Sequence, residues 1–395
     1  MNAMIHYQRI PAADREQAAI LKDYCFKRKW DSLESYTFHY WFKKSIALGA
    51  YDEERLVSQY LVIPFQMNIF GTTYEMGGVA SVCTYPEYRE KGITKQLLLQ
   101  SLEEMRNNKQ SISILSPFAI SFYRHFGWEL FFENTRYQIS PNGLSVRNKV
   151  DGNVVRFNYK SSDEELFMEK VRTFHKQEVA KRHGNQYRDK MWWERIKERN
   201  PEANYAVSLD EKEQIDGYVR YEIQEQEFQI NDLFAANDVA ERKIWQFIQA
   251  HGSQVTTIIG ESPATDSFGY LFTNPEITRE IFFDKMVRIV DVEAFLKQYP
   301  FQTIKEPLYV KIADKQAEWN QAIFKIEAQN QVEKVSQEEA DQLLEMEIGP
   351  FSAMMIGYHP LKWYCRNGRA CAEETVISNW EQAIPRVYPT HHDGF

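Results

Sequence analysis

The chain has 395 residues, of which 43% are apolar, 26% charged and 14% aromatic, with a formal net charge of −9. This length predicts two or three domains, each with enough apolar residues for a core. The acidic balance lacks the basic footprint of a nucleic-acid binder and suits a neutral or cationic small substrate. The start, MNAMIHYQRI, has no apolar signal core, and no stretch reaches the roughly 18 apolar residues of a membrane span. Cys25, Cys83, Cys365 and Cys371 form neither a CxxC pair nor a zinc spacing, so they read as reduced thiols in a cytoplasm.

Taken in chain order, residues 46–51, 56–63 and 74–82 are apolar runs separated by turns at 52–55 and 70–73, which predicts three strands. A helix follows over 94–106, with Leu97, Leu98, Leu102 and Met105 on one face. A strand at 111–115 leads into the aromatic segment SFYRHFGWE at 121–129. Residues 217–222 and 227–234 read as strands, 238–250 as a helix capped by Asp238, and 255–259 as a further strand. The order strand, strand, helix, strand repeats that of 57–115, which predicts a second copy of one fold. A third section starts near 286, with strands at 308–312 and 322–326 and helices at 336–346 and 350–358.

The stretch Val82-Cys-Thr-Tyr-Pro-Glu-Tyr-Arg-Glu-Lys-Gly-Ile-Thr94 joins the third strand to the first helix. A helix start offers free N–H groups and partial positive charge. Arg89 and Lys91 precede it, and Gly92 lets the backbone come close to a ligand. Together these make a pyrophosphate cradle, and an extended arm of the ligand would pair with the strand at Val82 and Thr84. A basic helix start with an ordinary turn glycine gives the same letters.

Arg89-Glu-Lys-Gly-Ile-Thr94 resembles the R/Q-x-x-G-x-G/A signature of the GNAT acetyltransferases, with Thr94 where Gly or Ala is usual. Phe122-Tyr-Arg-His-Phe-Gly-Trp-Glu129 resembles the F-Y-x-x-x-G-aromatic segment of the same enzymes. The three-part layout narrows the resemblance to the Eis (enhanced intracellular survival) N-acetyltransferases. It implies an α+β architecture: tandem GNAT folds with mixed central sheets, then a sterol-carrier-protein-like domain. The sections are a catalytic domain at 1–150, a second GNAT-like domain at 151–285 and the third domain at 286–395. The resemblance implies acetyl-CoA held by Val82, Cys83, Thr84, Arg89, Glu90, Lys91, Gly92, Ile93 and Thr94. It further implies Tyr123 as the acid for the departing thiolate, the α-carboxylate of Phe395 as the base, a small aminoglycoside- or polyamine-like amine as acceptor, and a hexamer. Gly394 departs from the acidic residue that some relatives place before the end, and Asp393 is the candidate to stand in for it.

Acetyl transfer needs a deprotonated amine, a donor for the developing oxyanion and a proton for the thiolate. The oxyanion donor expected here is the N–H of Val82 or Cys83. An unperturbed tyrosine hydroxyl, with a pKa of about 10 against about 8.5 for a thiol, gives up its proton slightly uphill. His391 and His392 are adjacent with no third ligand evident, so no metal is expected. His125 and Cys83 read as structural, and Trp192-Trp193 as a packing anchor. Asp23, Trp30, Glu34 and Trp41 are the candidate acceptor contacts. The second copy has no glycine or basic pair before its helix, so it is expected to wall the acceptor pocket without binding CoA. Two other readings stay open. In one, a CoA sensor or carrier uses the Met/Phe stripe of 350–358 for an apolar ligand. In the other, a transferase takes longer acyl donors, as N-myristoyltransferases do.

Overall fold

The computed structural model describes residues 5–27, 34–266 and 268–395. The first section runs β1 (His6–Arg9), α1 (Arg15–Phe26), α2 (Tyr36–Lys44), β2 (Ile46–Asp52), β3 (Arg55–Ile69), β4 (Thr72–Thr84), α3 (Ile93–Asn107), β5 (Ile112–Leu115), α4 (Ile120–His125), β6 (Glu129–Leu130) and β7 (Asn134–Ile139). The long hairpin β3–β4 is apolar over most of its length because both of its faces are covered. On one face Leu97, Leu98, Leu102 and Met105 of α3 join its core. Two features set the end of β4 apart from its neighbours. Ser81 has φ +52, and Ser81 and Val82 together oppose Tyr60, a bulge that twists the strand end. Parallel pairing with β5 runs from Met76↔Ile112 to Val79↔Leu115 and stops, while β4 continues to Thr84. The two strands therefore part.

The second section contains β8 (Val154–Asn158), α5 (Glu164–Lys181), α6 (Lys190–Arg199), β9 (Asn204–Leu209), β10 (Ile215–Gln224), β11 (Glu227–Ala235), α7 (Asp238–Gln249), β12 (Thr257–Pro263), β13 (Ile277–Phe282) and β14 (Met286–Ile289). The helix starts at Asp238, but its cap is Asn237, whose side chain accepts from the N–H groups of Val239 and Ala240. The sheets exchange strands. The first has the order β1-β2-β3-β4-β5-β14-β6 and the second β13-β7-β12-β11-β10-β9-β8. Borders at 150 and 285 are therefore not borders between sheets: β7 pairs with β12, and β14 fills the gap between β5 and β6.

The third section has α8 (Val292–Gln298), β15 (Leu308–Ala313), β16 (Ile323–Glu327), β17 (Gln331–Val335), β18 (Leu343–Glu347), α9 (Ile348–Met355), α10 (Leu361–Arg366), β19 (Ala370–Cys371) and α11 (Glu374–Ala383), with sheet order β17-β16-β15-β18-β19. The helix expected over 336–346 is not formed. Glu339 closes a short turn on Ser336, and Leu344 and Met346 then alternate inward on β18, which pairs in parallel with β15. Every residue of α9 is buried and the helix belongs to the main core, so its Met/Phe stripe is packing. Residues 385–395 run as an extended tail. Among the described residues no helix is long and apolar enough to cross a membrane.

Candidate active site

The parting of β4 from β5 opens a cavity of about 800 Å³. Val79–Thr84 of β4 line it together with Phe118, Phe122 and Tyr123 and with Trp41, Arg195, Glu198 and Phe395. Because β5 has ended, the backbone of β4 beyond Val79 has no strand partner on that side. It can hydrogen-bond an extended ligand arm as a missing strand would.

The loop after β4 brings the arm to a helix start. Gly92 is the residue before α3, with φ +76 and no side-chain cap on the first turn. Nothing lies within 4 Å of where its Cβ would stand, so backbone conformation rather than crowding selects glycine. The hydroxyls of Thr84 and Thr94 approach to 3.1 Å and tie strand end to helix start, and Ser58 meets Thr84 at 2.7 Å. Arg89 donates to the Thr84 carbonyl at 3.2 Å, and the Lys91 ammonium sits over the Tyr88 ring at 5.0 Å. Of the nine residues expected to hold the cofactor, Val82, Cys83, Thr84, Arg89 and Thr94 line the cavity. Glu90, Lys91 and Gly92 form the exposed loop outside it. Ile93 turns its side chain into the core, so what it can offer a ligand is its N–H.

Tyr123 stands on α4 and is buried, with its ring edge-on to Phe118, Phe122 and Trp128 at 5.4, 5.1 and 6.2 Å. Burial raises its hydroxyl above the usual value, so the group holds its proton at neutral pH. The Cys83 thiol, also buried, is pushed up chiefly by burial. Cys25, on α1, is the opposite case. Its thiol is lowered to about 7, first by a hydrogen bond from Cys83, with the Arg89 guanidinium adding to the effect.

The chain end reaches the same cavity. The Phe395 ring packs on Phe65 at 5.2 Å and on Trp192 at 6.4 Å. A Cβ on Gly78 would stand 3.1 Å from the Phe395 ring and 2.6 Å from that of Phe65, so this glycine is the seat of the terminal ring. The tail is anchored by α6 and the loop before it. Arg188 donates from Nε to both oxygens of Asp393, at 2.9 and 3.1 Å, and Trp192 Nε1 donates to one of them at 3.0 Å. Arg195 donates to the Gly394 carbonyl at 2.8 Å. Asp393 is thus an anchor and does not face an acceptor. His391 receives its place from the Gly184 carbonyl, at 2.9 Å, and burial lowers His392 to about 4. Among the described residues no three His, Cys, Asp or Glu side chains could hold a metal ion.

Of the candidate acceptor contacts, Glu34 and Trp41 line the cavity, Asp23 does not, and Trp30 lies outside the described residues. Sequence reasoning missed Thr37, Glu198 and Arg195. Thr37 hydrogen-bonds Glu198 across the two sections, and the Arg195 guanidinium lies against both the Trp41 and Trp192 indoles, at 4.8 and 4.7 Å, which themselves meet at 5.5 Å. The available signal was the face of α6 that Trp192 marks, since Arg195 and Arg199 follow at helical spacing. What that face meets is a tertiary fact.

Comparison with known proteins gives three consecutive matches. Residues 6–131 and 184–289 each match a family described as acetyltransferase (GNAT) domain, and 292–391 match the sterol carrier protein domain. A comparison with curated proteins returns no match. Among solved structures, a probable N-acyltransferase of Enterococcus faecalis is similar over 99% of this chain and 100% of its own, at 25% identity and TM-score 0.90. A GCN5-related N-acetyltransferase of Anabaena variabilis shares 19% identity over 99% and 100%, with TM-score 0.87. Eis1 of Mycobacterium abscessus shares 18% identity over 99% and 100%, with TM-score 0.82.

Proposed function

We propose that the chain, which carries two GNAT acetyltransferase domains and a sterol-carrier domain, is an Eis-type enzyme that moves the acetyl group of acetyl-CoA to a primary amine of a small polycationic acceptor. The acetyl donor is what GNAT domains use; the acceptor and the residue roles are our own reading. The observation that carries it is that Tyr123, the open edge of β4 and the last residue of the chain line one cavity. Pantetheine pairs with Val82 to Thr84, and the pyrophosphate rests on the start of α3 between Arg89 and Lys91. The amine nitrogen attacks the thioester carbon, and a β4 N–H at Val82 or Cys83 receives the oxyanion. The C–S bond breaks as the amide forms. The thiolate takes the Tyr123 proton, and the Phe395 carboxylate takes the proton of the amine, directly or through one water.

Burial of Tyr123 weakens it as an acid, but a thiolate in the same dry site is raised for the same reason, so the two stay matched. Acceptor charge is met by Glu34, Glu198 and the terminal carboxylate. The Arg195 charge on that side is engaged by Gly394 and the two indoles. In this reading 1–150, 151–285 and 286–395 serve as catalytic, walling and tail-delivering units of a cytoplasmic hexamer. Sedimentation of the purified chain would count the subunits.

The test is CoA release from acetyl-CoA with a panel of polyamines and aminoglycosides. It compares wild type, Tyr123→Phe and a chain extended past Phe395 that still binds cofactor. Turnover in wild type with large losses in both variants is expected. Undiminished turnover in both removes the mechanism, and no turnover with any amine despite acetyl-CoA binding moves the function to a CoA sensor.

A further inference from the structure

The end of α4, just past Tyr123, is held by residues 191 and 162 positions away. Gln316 Nε2 donates to the His125 carbonyl at 3.3 Å, and Arg288 Nη1 donates to the Phe126 carbonyl at 2.6 Å. These carbonyls have no partner within the helix, so an outside donor fixes them. Arg288 stands on β14 and gives its other nitrogen to both oxygens of Asp314, at 2.9 and 2.7 Å. Both side chains are fully buried. Asp314 is itself fixed by the Gln316 N–H at 3.1 Å and by Asn320 Nδ2 at 3.0 Å. The guanidinium lies over Trp128, 5.4 Å from the ring, and that ring is one of the three edge-on to Tyr123. Room for the approach comes from Gly127, φ +83. A Cβ there would stand 1.8 Å from Arg288 Nη1 and 2.6 Å from Ile348 of α9.

A fully buried ion pair is a poor stability device, because the desolvation of both charges offsets their attraction, and an apolar pair of similar volume often does as well. An apolar pair cannot aim a donor at a chosen carbonyl. We propose that Arg288 and Asp314 are a positioning pair, through which the sterol-carrier domain clamps the end of α4 and sets where the Tyr123 hydroxyl stands relative to the open edge of β4. The proposal rests on the reading of Tyr123 as the acid. Misplacement of a reacting group by an ångström costs up to about a hundredfold in rate, so a clamp of this kind shows in kcat.

The test is a double-mutant cycle in the full chain between Arg288→Met/Asp314→Leu and Tyr123→Phe. The pair variant should keep its melting temperature and its KM for acetyl-CoA within about twofold while kcat falls about tenfold, and it should add no further loss on top of Tyr123→Phe. Wild-type kcat in the pair variant overturns the proposal, as do losses that multiply, because the pair then acts on something other than Tyr123. Full activity in Tyr123→Phe alone is a different failure, of the acid reading itself, seen with the pair intact, and the proposal falls with it. Should the pair variant not fold, Arg288→Lys keeps a charge for Asp314 but cannot serve Phe126 as well. It should fold and lose a similar share of kcat, and undiminished kcat there also overturns the clamp.

Discussion

The first and second sheets carry the same strand order and part in the same way, and they differ at the start of the helix that follows the parting. β4 and β5 separate after Val79, and β11 and β12 separate after Ile230. In the first sheet the helix that follows starts behind an uncapped, left-handed glycine. In the second, Asn237 already accepts from the amides of Val239 and Ala240, so two of the donors that an anion would use are taken. The opening itself is a second cavity, of about 710 Å³, whose lining includes Arg182 and His392. Arg182 donates to the Ala235 carbonyl at 2.8 Å and lies over Phe234, with the His392 ring on the same phenyl at 5.1 Å. Parted strands make a space, and the free donors at the helix start decide whether a phosphate can use it.

Four measurements put that contrast at risk. Gly92→Asp has the strongest consequence, because it puts a side chain on a left-handed backbone and a negative charge at the cradle. Acetyl-CoA affinity by calorimetry should drop on the order of a hundredfold or more, and an unchanged affinity would end the cradle assignment. Asn237→Gly, its counterpart, frees the α7 amides but supplies no basic pair before them as Arg89 and Lys91 do before α3, so acetyl-CoA should still bind at one site per chain, and a second site would show that free amides suffice. Next, Asp393→Ala releases the tail from Arg188 and Trp192. Steady-state kcat should fall about tenfold or more with cofactor affinity kept, since only the proposed base, the Phe395 carboxylate, is displaced. A loss confined to cofactor affinity would show that the tail serves the other half of the site.

Third, Cys25 should react with iodoacetamide with a midpoint near its lowered pKa of about 7, below the pH of an ordinary thiol, because only the thiolate attacks. Bound acetyl-CoA should slow the reaction, as Cys25 lines the cavity; equal rates with and without cofactor would contradict that placement. The weakest effect is on stability. Burial lowers His183 and His392 to about 4, so the folded state keeps them neutral where the unfolded chain, with its usual value near 6.5, takes up protons. Their contribution is complete above about pH 6.5 and is lost as pH falls toward 4, at up to about 1.4 kcal/mol per pH unit for each. A melting temperature flat across that window would contradict the burial of both.

How legible each feature is in the sequence depends on how local it is. The loop Arg89–Thr94 and Tyr123 can be read there because short-range backbone geometry and residue chemistry make them. The helix expected over 336–346 fails because Ser336 and Glu339 satisfy a helix-start pattern locally, while the pairing of β18 with β15 is decided by residues more than thirty positions away. The expected cap on α7 is off by one residue, since Asn237 and Asp238 are both good caps and only the backbone conformation chooses. The helical face that carries Arg195 is legible in the sequence, but the roles of Arg195 and Glu198 are not, because they exist only once α6 meets α2. The strand β14 is hidden in the same way. Met286–Ile289 is a short run of three apolar residues around Arg288, and no local rule assigns its place between β5 and β6.

That inserted strand has a consequence for how the protein is made. β5 and β6 leave the ribosome more than 150 residues before the strand that joins them. Until then both present unpaired backbone edges of apolar strands, which are templates for association with other chains. The contacts that close the sheet span a long sequence separation, so closure is slow relative to local folding. The first sheet is completed only after the second section has been synthesised, and a fragment ending near residue 150 should therefore expose the β5 edge and aggregate rather than fold as a smaller enzyme.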